Sequence, residues 1–201
     1  MLIDSWQVVE QFEKRMADYC GAPFAVAVDT CTTALFLCLK RLKVTHASIP
    51  CRTYLGVACS VLHSGSSIGF TDFRWEGSYS LLDTGGDVHI VDSACRLSRG
   101  MYLSSTLTCL SFQSRKHLKI GRGGMVLTDN KKHADWLRKA RFCGRAEPNG
   151  VPLFVGWQAY MEPERAARGL TLMDSLPDYN ADLVFEYPDL REFSVLRQES
   201  R

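Results

Sequence analysis

Short apolar runs alternate with helix-patterned segments along most of this chain, and that alternation limits its fold more than any other feature. Residues 24–28, 47–50, 68–72, 88–92, 107–112 and 125–129 have the length and composition of buried strands. Ahead of them, Val8, Val9, Phe12, Met16 and Tyr19 recur at helical spacing over 4–20, with Asp4 or Ser5 as cap and Gly21 as stop. Asp29-Thr30-Cys31-Thr32 turns into a helix over 34–40. Residues 54–63 form another, ended by Gly65, and 131–141 and 164–173 form two more. Gly85-Gly86 marks a loop over 81–87, and Gly121-Arg122-Gly123-Gly124 a turn between the last two strands. Glu147-Pro148-Asn149-Gly150 is a further turn. Strands interleaved with helices predict a layered α/β domain with a largely parallel sheet.

The length of 201 residues suits one domain, 1–178, with a short appendage. From Pro177 onward the chain is polar and is interrupted by Pro188, so 179–201 reads as a tail that is extended or swapped across a dimer. With 46% hydrophobic residues the chain has material for a real core, which excludes disorder throughout. The longest apolar stretch, 22–28, is far too short to span a bilayer. The opening Met-Leu-Ile-Asp-Ser-Trp lacks the basic head and long apolar region of a secretory signal. A cytoplasmic protein without membrane contact is expected. Its eight cysteines form no Cys-x-x-Cys pair and its five histidines show no ligand spacing, so reduced, buried thiols are expected and no metal site.

Chemistry in an open α/β sheet gathers beyond the carboxyl ends of the strands. Thr30-Cys31-Thr32 follows one strand and opens a helix, where free N–H groups and a positive helix end suit a phosphate. Taken alone, such a threonine is more often a plain helix cap. Asp92 closes a strand of Val88, Ile90 and Val91, as a cap or as partner to a buried cation. Lys116 follows the strand that ends in Ser111-Phe112, just before the glycine-rich turn. A lone lysine is usually a solvated charge; the order of these features is what carries information.

That order resembles the large domain of the DegT-type (DegT/StrS) aminotransferases, which are fold-type-I pyridoxal-phosphate (PLP) enzymes. Phe12-Glu13 with Tyr19-Cys20-Gly21 resembles the family's opening helix, and 26–35 its phosphate turn. Pro50 with Thr53-Tyr54 resembles its ring-stacking loop, and Val91-Asp92-Ser93-Ala94 its acidic strand end. Ser111-Phe112, Lys116 and 121–124 resemble its lysine block. Gly156-Trp157-Gln158, Met161 and 166–170 resemble the segment that reaches a neighbouring subunit. The resemblance implies a three-layer α/β fold and PLP as cofactor. It implies Lys116 as the amine that forms a Schiff base with PLP and later moves protons. Asp92 would pair with the pyridinium nitrogen, and Tyr54 and Ala94 would pack on the two ring faces. Thr30, Cys31, Thr32 and Ser111 would hold the phosphate. Gln158 would reach the phosphate of a partner, making a homodimer with shared active sites. Arg52, His117 and Arg122, beside these motifs, are candidates for the substrate.

The departures shape the functional expectation. Cys95 stands for the usual glutamine, His117 for asparagine, Arg122 for glutamate and Cys143 for a histidine. The stretch between Asp72 and Asp92 is too short for the family's strand–helix unit, and the chain stops where the small domain would begin. An open site follows. Around the lysine, Arg115, Lys116, Lys119, Arg122, Lys131, Lys132, Arg138, Lys139, Arg141 and Arg145 face only Asp129 and Asp135. A one-sided basic block points to a nucleotide or nucleic acid, or to a solvated helix face. The leading expectation is therefore a PLP enzyme acting at the α-carbon of a large anionic amine, such as an aminoacyl-modified nucleic acid, by decarboxylation or transamination. The alternatives are a sugar-nucleotide aminotransferase of the DegT type, a non-catalytic binding module, and a fragment needing a partner chain.

Overall fold

A computed structural model describes residues 6–146 and 150–196. The elements run α1 Gln7–Cys20, β1 Phe24–Val28, α2 Cys31–Leu42, β2 His46–Pro50, α3 Leu55–His63, β3 Ser67–Thr71, β4 Tyr79–Ser80, β5 His89–Asp92, β6 Thr106–Ser111, β7 Gly124–Thr128, α4 Lys131–Ala140 and α5 Pro163–Met173. The expected Asp4 or Ser5 cap and most of the 147–150 turn lie outside the described residues. No described helix is long and apolar enough to cross a membrane.

Strand residues alternate between two cores, as a period of two requires. Val26, Val28, Leu107, Cys109 and Val126 pack on one face with α2, α3 and α4. Ala25, Ala27, Leu110, Phe112, Met125 and Leu127 pack on the other with Phe12 and Met16 of α1 and Ala166 of α5. The result is the three-layer α/β domain expected. Six of the eight cysteines are buried, among them Cys38 and Cys109 in the first of these cores.

The sheet differs from expectation in one respect: it is mixed. Its order is β1-β7-β6-β5-β4, with a separate β2-β3 pair. Only β5–β6 and β2–β3 run parallel; β1–β7, β6–β7 and β4–β5 are antiparallel. The reason lies in the connection between β6 and β7, which holds a glycine-rich turn and no helix. Parallel neighbours need a crossover, so these strands must reverse.

The shortened stretch before Asp92 carries no helix. Instead β4 lies antiparallel to β5, with Tyr79 opposite Asp92. Two residues on, Leu82 exchanges backbone hydrogen bonds of 2.9 Å with Ser48 of β2. A few extended residues thus stitch the two sheets together. Gly124 shows how closely the layers meet at the strand ends: a Cβ there would collide with the Thr30–Cys31 peptide.

The tail runs extended. It folds back over the strand ends of its own chain. Ala181 O lies 2.9 Å from His117 Nε2, the Leu183 N–H donates to Cys95 O at 2.9 Å, and the Leu190 N–H donates to Cys51 O at 2.8 Å. Leu190 is fully buried. Leu183, Phe185 and Tyr187 are partly covered while Val184 and Glu186 are exposed, the alternation of an extended strap with one face inward.

Candidate active site

A cavity of about 350 Å³ opens at the ends of β1, β5 and β6, within the size range of small-molecule sites, about 300–1,000 Å³. Thr30, Cys31, Thr32, Tyr54, Asp92, Ala94, Ser111, Lys116 and Arg122 all line it. Nine residues singled out from scattered positions therefore meet in one place.

At one end of the cavity, extended Thr30 caps α2. Its hydroxyl accepts from the Thr33 N–H at 3.0 Å. The cap does not preclude an anion here, because the first N–H groups of a helix have no partner inside it. Gly124 lets β7 press against this turn, and Arg122 reaches Asp29 beside it at 2.9 Å.

At the far end sits Asp92, only 5% exposed. Its Oδ1 accepts from the Ala94 N–H at 2.9 Å, and its Oδ2 from the Tyr79 hydroxyl at 3.1 Å. Burial pushes the carboxyl up, while those two donors and the Lys116 ammonium pull it back. Tyr79 in turn lies 2.7 Å from the Thr53 hydroxyl. Burial and the Asp92 charge push the Tyr79 phenol up, so it stays a donor. Lys116 Nζ lies 3.2 Å from Cys95 Sγ and 4.5 Å from the centre of the Phe185 ring. Tyr187 stacks on Trp75 at 6.0 Å, and its hydroxyl lies 4.0 Å from Cys95 Sγ.

Three predicted residues do not line this cavity. His117 is taken up by the backbone of the tail. Arg52 borders a neighbouring cavity of about 670 Å³ with Asp72 and residues 183–187, and pairs with Asp189 at 3.5 Å. Gln158 is exposed, and its backbone bridges to Phe142. Conversely, Trp75, Phe185 and Tyr187 line the cavity and Tyr79 backs it, although no motif pointed to them, and Cys95, noted only as a departure from the family's glutamine, lines it too. The one sequence signal for the strap was the period-two spacing of Leu183, Phe185 and Tyr187.

The structure bears on the expected open site and on the expected basic block. Phe185, Glu186 and Tyr187 of the strap line the cavity. Of the basic residues, Arg141 is buried against Glu13, Arg138 reaches Glu13 and Asp135, Lys131 pairs with Asp135, and Arg122 with Asp29. Four of the ten basic residues thus meet acids of the fold, and of these only Arg141 is buried.

Arg96 fastens the strap. It grips the Asp182 carboxylate through Nε at 2.9 Å and through Nη2, and its Nη1 donates to Ser78 Oγ at 3.0 Å. Gly77, at φ +67°, leaves room for that carboxylate where any Cβ would strike it. Arg96→Ala should raise amide exchange over 181–187 about tenfold, with the sheet unchanged; equal protection in both proteins would show that the clasp is idle. Arg96 holds the Asp182 carboxyl below its ordinary value. The contribution is therefore complete above the unfolded value near 3.8 and is lost as pH falls below it.

A three-layer α/β domain with a lysine and a buried acid facing one cavity at its strand ends has the fold of the large domain of fold-type-I transferases. The chain belongs to the DegT/DnrJ/EryC1/StrS aminotransferase family, whose model matches residues 2–78 and 102–183. Asp92, β4 and the strap tip fall outside those stretches. The chain is 27% identical to the spore coat polysaccharide biosynthesis protein SpsC of Bacillus subtilis, covering 85% of this chain and 57% of that one. It is 26% identical to the GDP-perosamine synthase of Caulobacter vibrioides, covering 86% and 58%. Among solved structures it resembles NtdA of Bacillus subtilis, which holds the cofactor PMP, with a TM-score of 0.71 at 20% identity, covering 84% and 48%. The chain thus spans a little over half the length of the curated relatives it matches.

Proposed function

We propose that this chain is the cofactor-binding part of a PLP-dependent aminotransferase that acts on a keto-sugar carried on a nucleotide. One observation carries the reading: Lys116, the buried Asp92 carboxylate and the N-terminus of α2 face a single cavity. Each of the three suits a different part of PLP. Bound there, PLP supplies an aldehyde for amine exchange and a ring that withdraws electrons from the reacting carbon.

The chain's own groups do the rest. The Lys116 amine is the nucleophile, and it carries the proton to and from the substrate carbon. Asp92 keeps the ring nitrogen protonated; a buried carboxylate gains from such a cation, which offsets its own desolvation. The N–H groups opening α2, with the hydroxyls of Thr30, Thr32 and Ser111, bind the phosphate. Tyr54 and Ala94 bound the ring, and Arg122 stands at the mouth for an anionic substrate. Phe185 and Tyr187 help exclude water. A sugar-nucleotide substrate is favoured by the family and by the GDP-perosamine synthase among the relatives. Decarboxylation of a nucleic-acid-borne group has no such support among the relatives.

The test is absorbance of the PLP-loaded protein on adding L-glutamate, followed by a nucleotide-linked keto-sugar. Glutamate should convert the cofactor to its amine form with release of 2-oxoglutarate, and the keto-sugar should restore it. Carbon dioxide release instead would establish a decarboxylase, and failure to take up PLP would leave a binding module.

The active unit is read as a homodimer. Val151, Leu153 and Val155 are exposed beside Gln158, Val155 by 90%. Alternate apolar residues held in water suit a subunit contact, and Gln158 would then reach the partner's phosphate site. Val155→Arg should convert a dimer to a monomer in light scattering and weaken PLP binding; a wild-type monomer with full activity would remove this part of the reading.

A further inference from the structure

Resting on the PLP reading, we infer that Tyr79 is a positioning residue for the reaction: a hydroxyl relay from Thr53 through Tyr79 holds Asp92 ionised and aimed at the cofactor nitrogen. Nothing in the family motifs points to it, because residue 79 falls in the gap between the matched stretches.

The relay has a defined direction. Tyr79 Oη lies 3.1 Å from Asp92 Oδ2 and 2.7 Å from Thr53 Oγ1. A phenol has one proton, and an ionised carboxylate can only accept. Tyr79 therefore donates to Asp92, and Thr53 donates to Tyr79. All three residues are buried, at 6%, 5% and 1% exposure. Water does not readily substitute for the phenol, and loss of the donor leaves the carboxylate underserved.

Backbone geometry sets the relay. Tyr79 faces Asp92 across the β4–β5 ladder, and the shortened crossing places β4 there. Thr53 comes from the loop between β2 and α3, one residue before Tyr54. The relay thus ties three segments of the cavity floor. Trp75 packs on the Tyr79 ring with centroids 4.7 Å apart and fixes its orientation.

Energetics explain why such a device is needed. Burial alone pushes Asp92 toward its neutral form, and a neutral acid would not hold a proton on the cofactor nitrogen. The groups that face the carboxylate are Tyr79 from β4, Cys31 from α2 at 4.0 Å, and Lys116 from the loop after β6, with Cys109 and Tyr187 beyond. The thiols and Tyr187 are pushed up by burial and carry no positive charge. Lys116 is the one cation of the set, and its charge is committed elsewhere once it bonds the cofactor. Tyr79, the Ala94 N–H and, at 4.0 Å, the Cys31 thiol are the hydrogen-bond donors that hold Asp92 ionised whether or not Lys116 is bonded to the cofactor.

The experiment compares PLP-loaded wild type, Tyr79→Phe, Thr53→Val and Thr53→Ser. Absorbance–pH titration of the bound cofactor is read beside kcat and KM, and the Asp92 carboxyl is titrated by isotope-edited infrared in the cofactor-free proteins. Tyr79→Phe should raise the Asp92 midpoint by about one pH unit and lower kcat about tenfold with KM unchanged. Thr53→Val should fall between it and wild type, and Thr53→Ser should restore wild-type values. Folding is checked by equal melting temperatures and equal PLP stoichiometry. Identical Asp92 titration and kcat in wild type and Tyr79→Phe would overturn the relay while leaving the PLP reading intact. Absence of PLP binding in wild type would overturn both. A stability loss with no change in the titration would make Tyr79 a packing residue only.

Discussion

Lys116→Ala should abolish the visible band that PLP develops on the wild-type protein and lower turnover by about 10⁴-fold. The lysine lines the cavity, 3.2 Å from Cys95 and against the Phe185 ring. On the proposed reading it contributes both the nucleophile and the proton carrier, so one truncation removes two functions that act as a unit. Lys116→Arg separates charge from nucleophilicity. The guanidinium keeps the cation over Phe185 but stays protonated, so it neither attacks an aldehyde nor returns a proton. Both variants should melt within a few degrees of wild type, since Lys116 is only half-buried and makes no ion pair with an acid among the described residues. A PLP band that survived in Lys116→Ala would move the covalent attachment to another amine and sink the assignment.

How far the sequence led depends on whether a feature is local. The turn at Thr30 was legible because it is contiguous: β1 ends, Thr30 caps, α2 begins. Asp92 and Lys116 were legible because each ends or follows a short apolar run whose period admits only a strand. Tyr79 was not, because its role arises from a cross-strand register that two residues of β4 cannot announce. The antiparallel β7 could have been anticipated from the helix-free connection before it. The strap was hidden by its polarity. Asp182, Glu186 and Asp189 read as a solvated tail, yet Asp182 is gripped by Arg96 and Asp189 by Arg191 and Arg52. The basic block looked more one-sided in the sequence than in the fold for the mirror-image reason. A count of charges along the chain ignores carboxylates brought in from afar, and Glu13 and Asp29 arrive from the other end of the sequence.

Glu13 is the site of the second large expected effect. Although it sits in α1 far from the cavity, it is 4% exposed and holds three elements together. Its Oε1 accepts from the Ala27 N–H of β1 at 2.8 Å and pairs with Arg141 at the end of α4. Arg141 Nη1 also donates to Ala27 O at 2.6 Å, while its buried Nε has no partner among the described residues. Removing the acid leaves a buried guanidinium with a second unmet need. Glu13→Ala should therefore cost about 3–5 kcal/mol, the range for breaking a buried ion pair from one side. For a domain of this size that lowers the melting temperature by roughly 10 °C. Replacing both partners with apolar residues of similar volume, as in Glu13→Leu with Arg141→Met, should recover much of the loss, because the penalty lies in the stranded charge. β1 runs from Ala27 directly into Thr30, so the single variant should also weaken PLP binding through the phosphate turn. The double variant, with β1 again clamped by packing, should regain part of that affinity. Equal melting temperatures for wild type and Glu13→Ala would mean that the pair is not closed in solution.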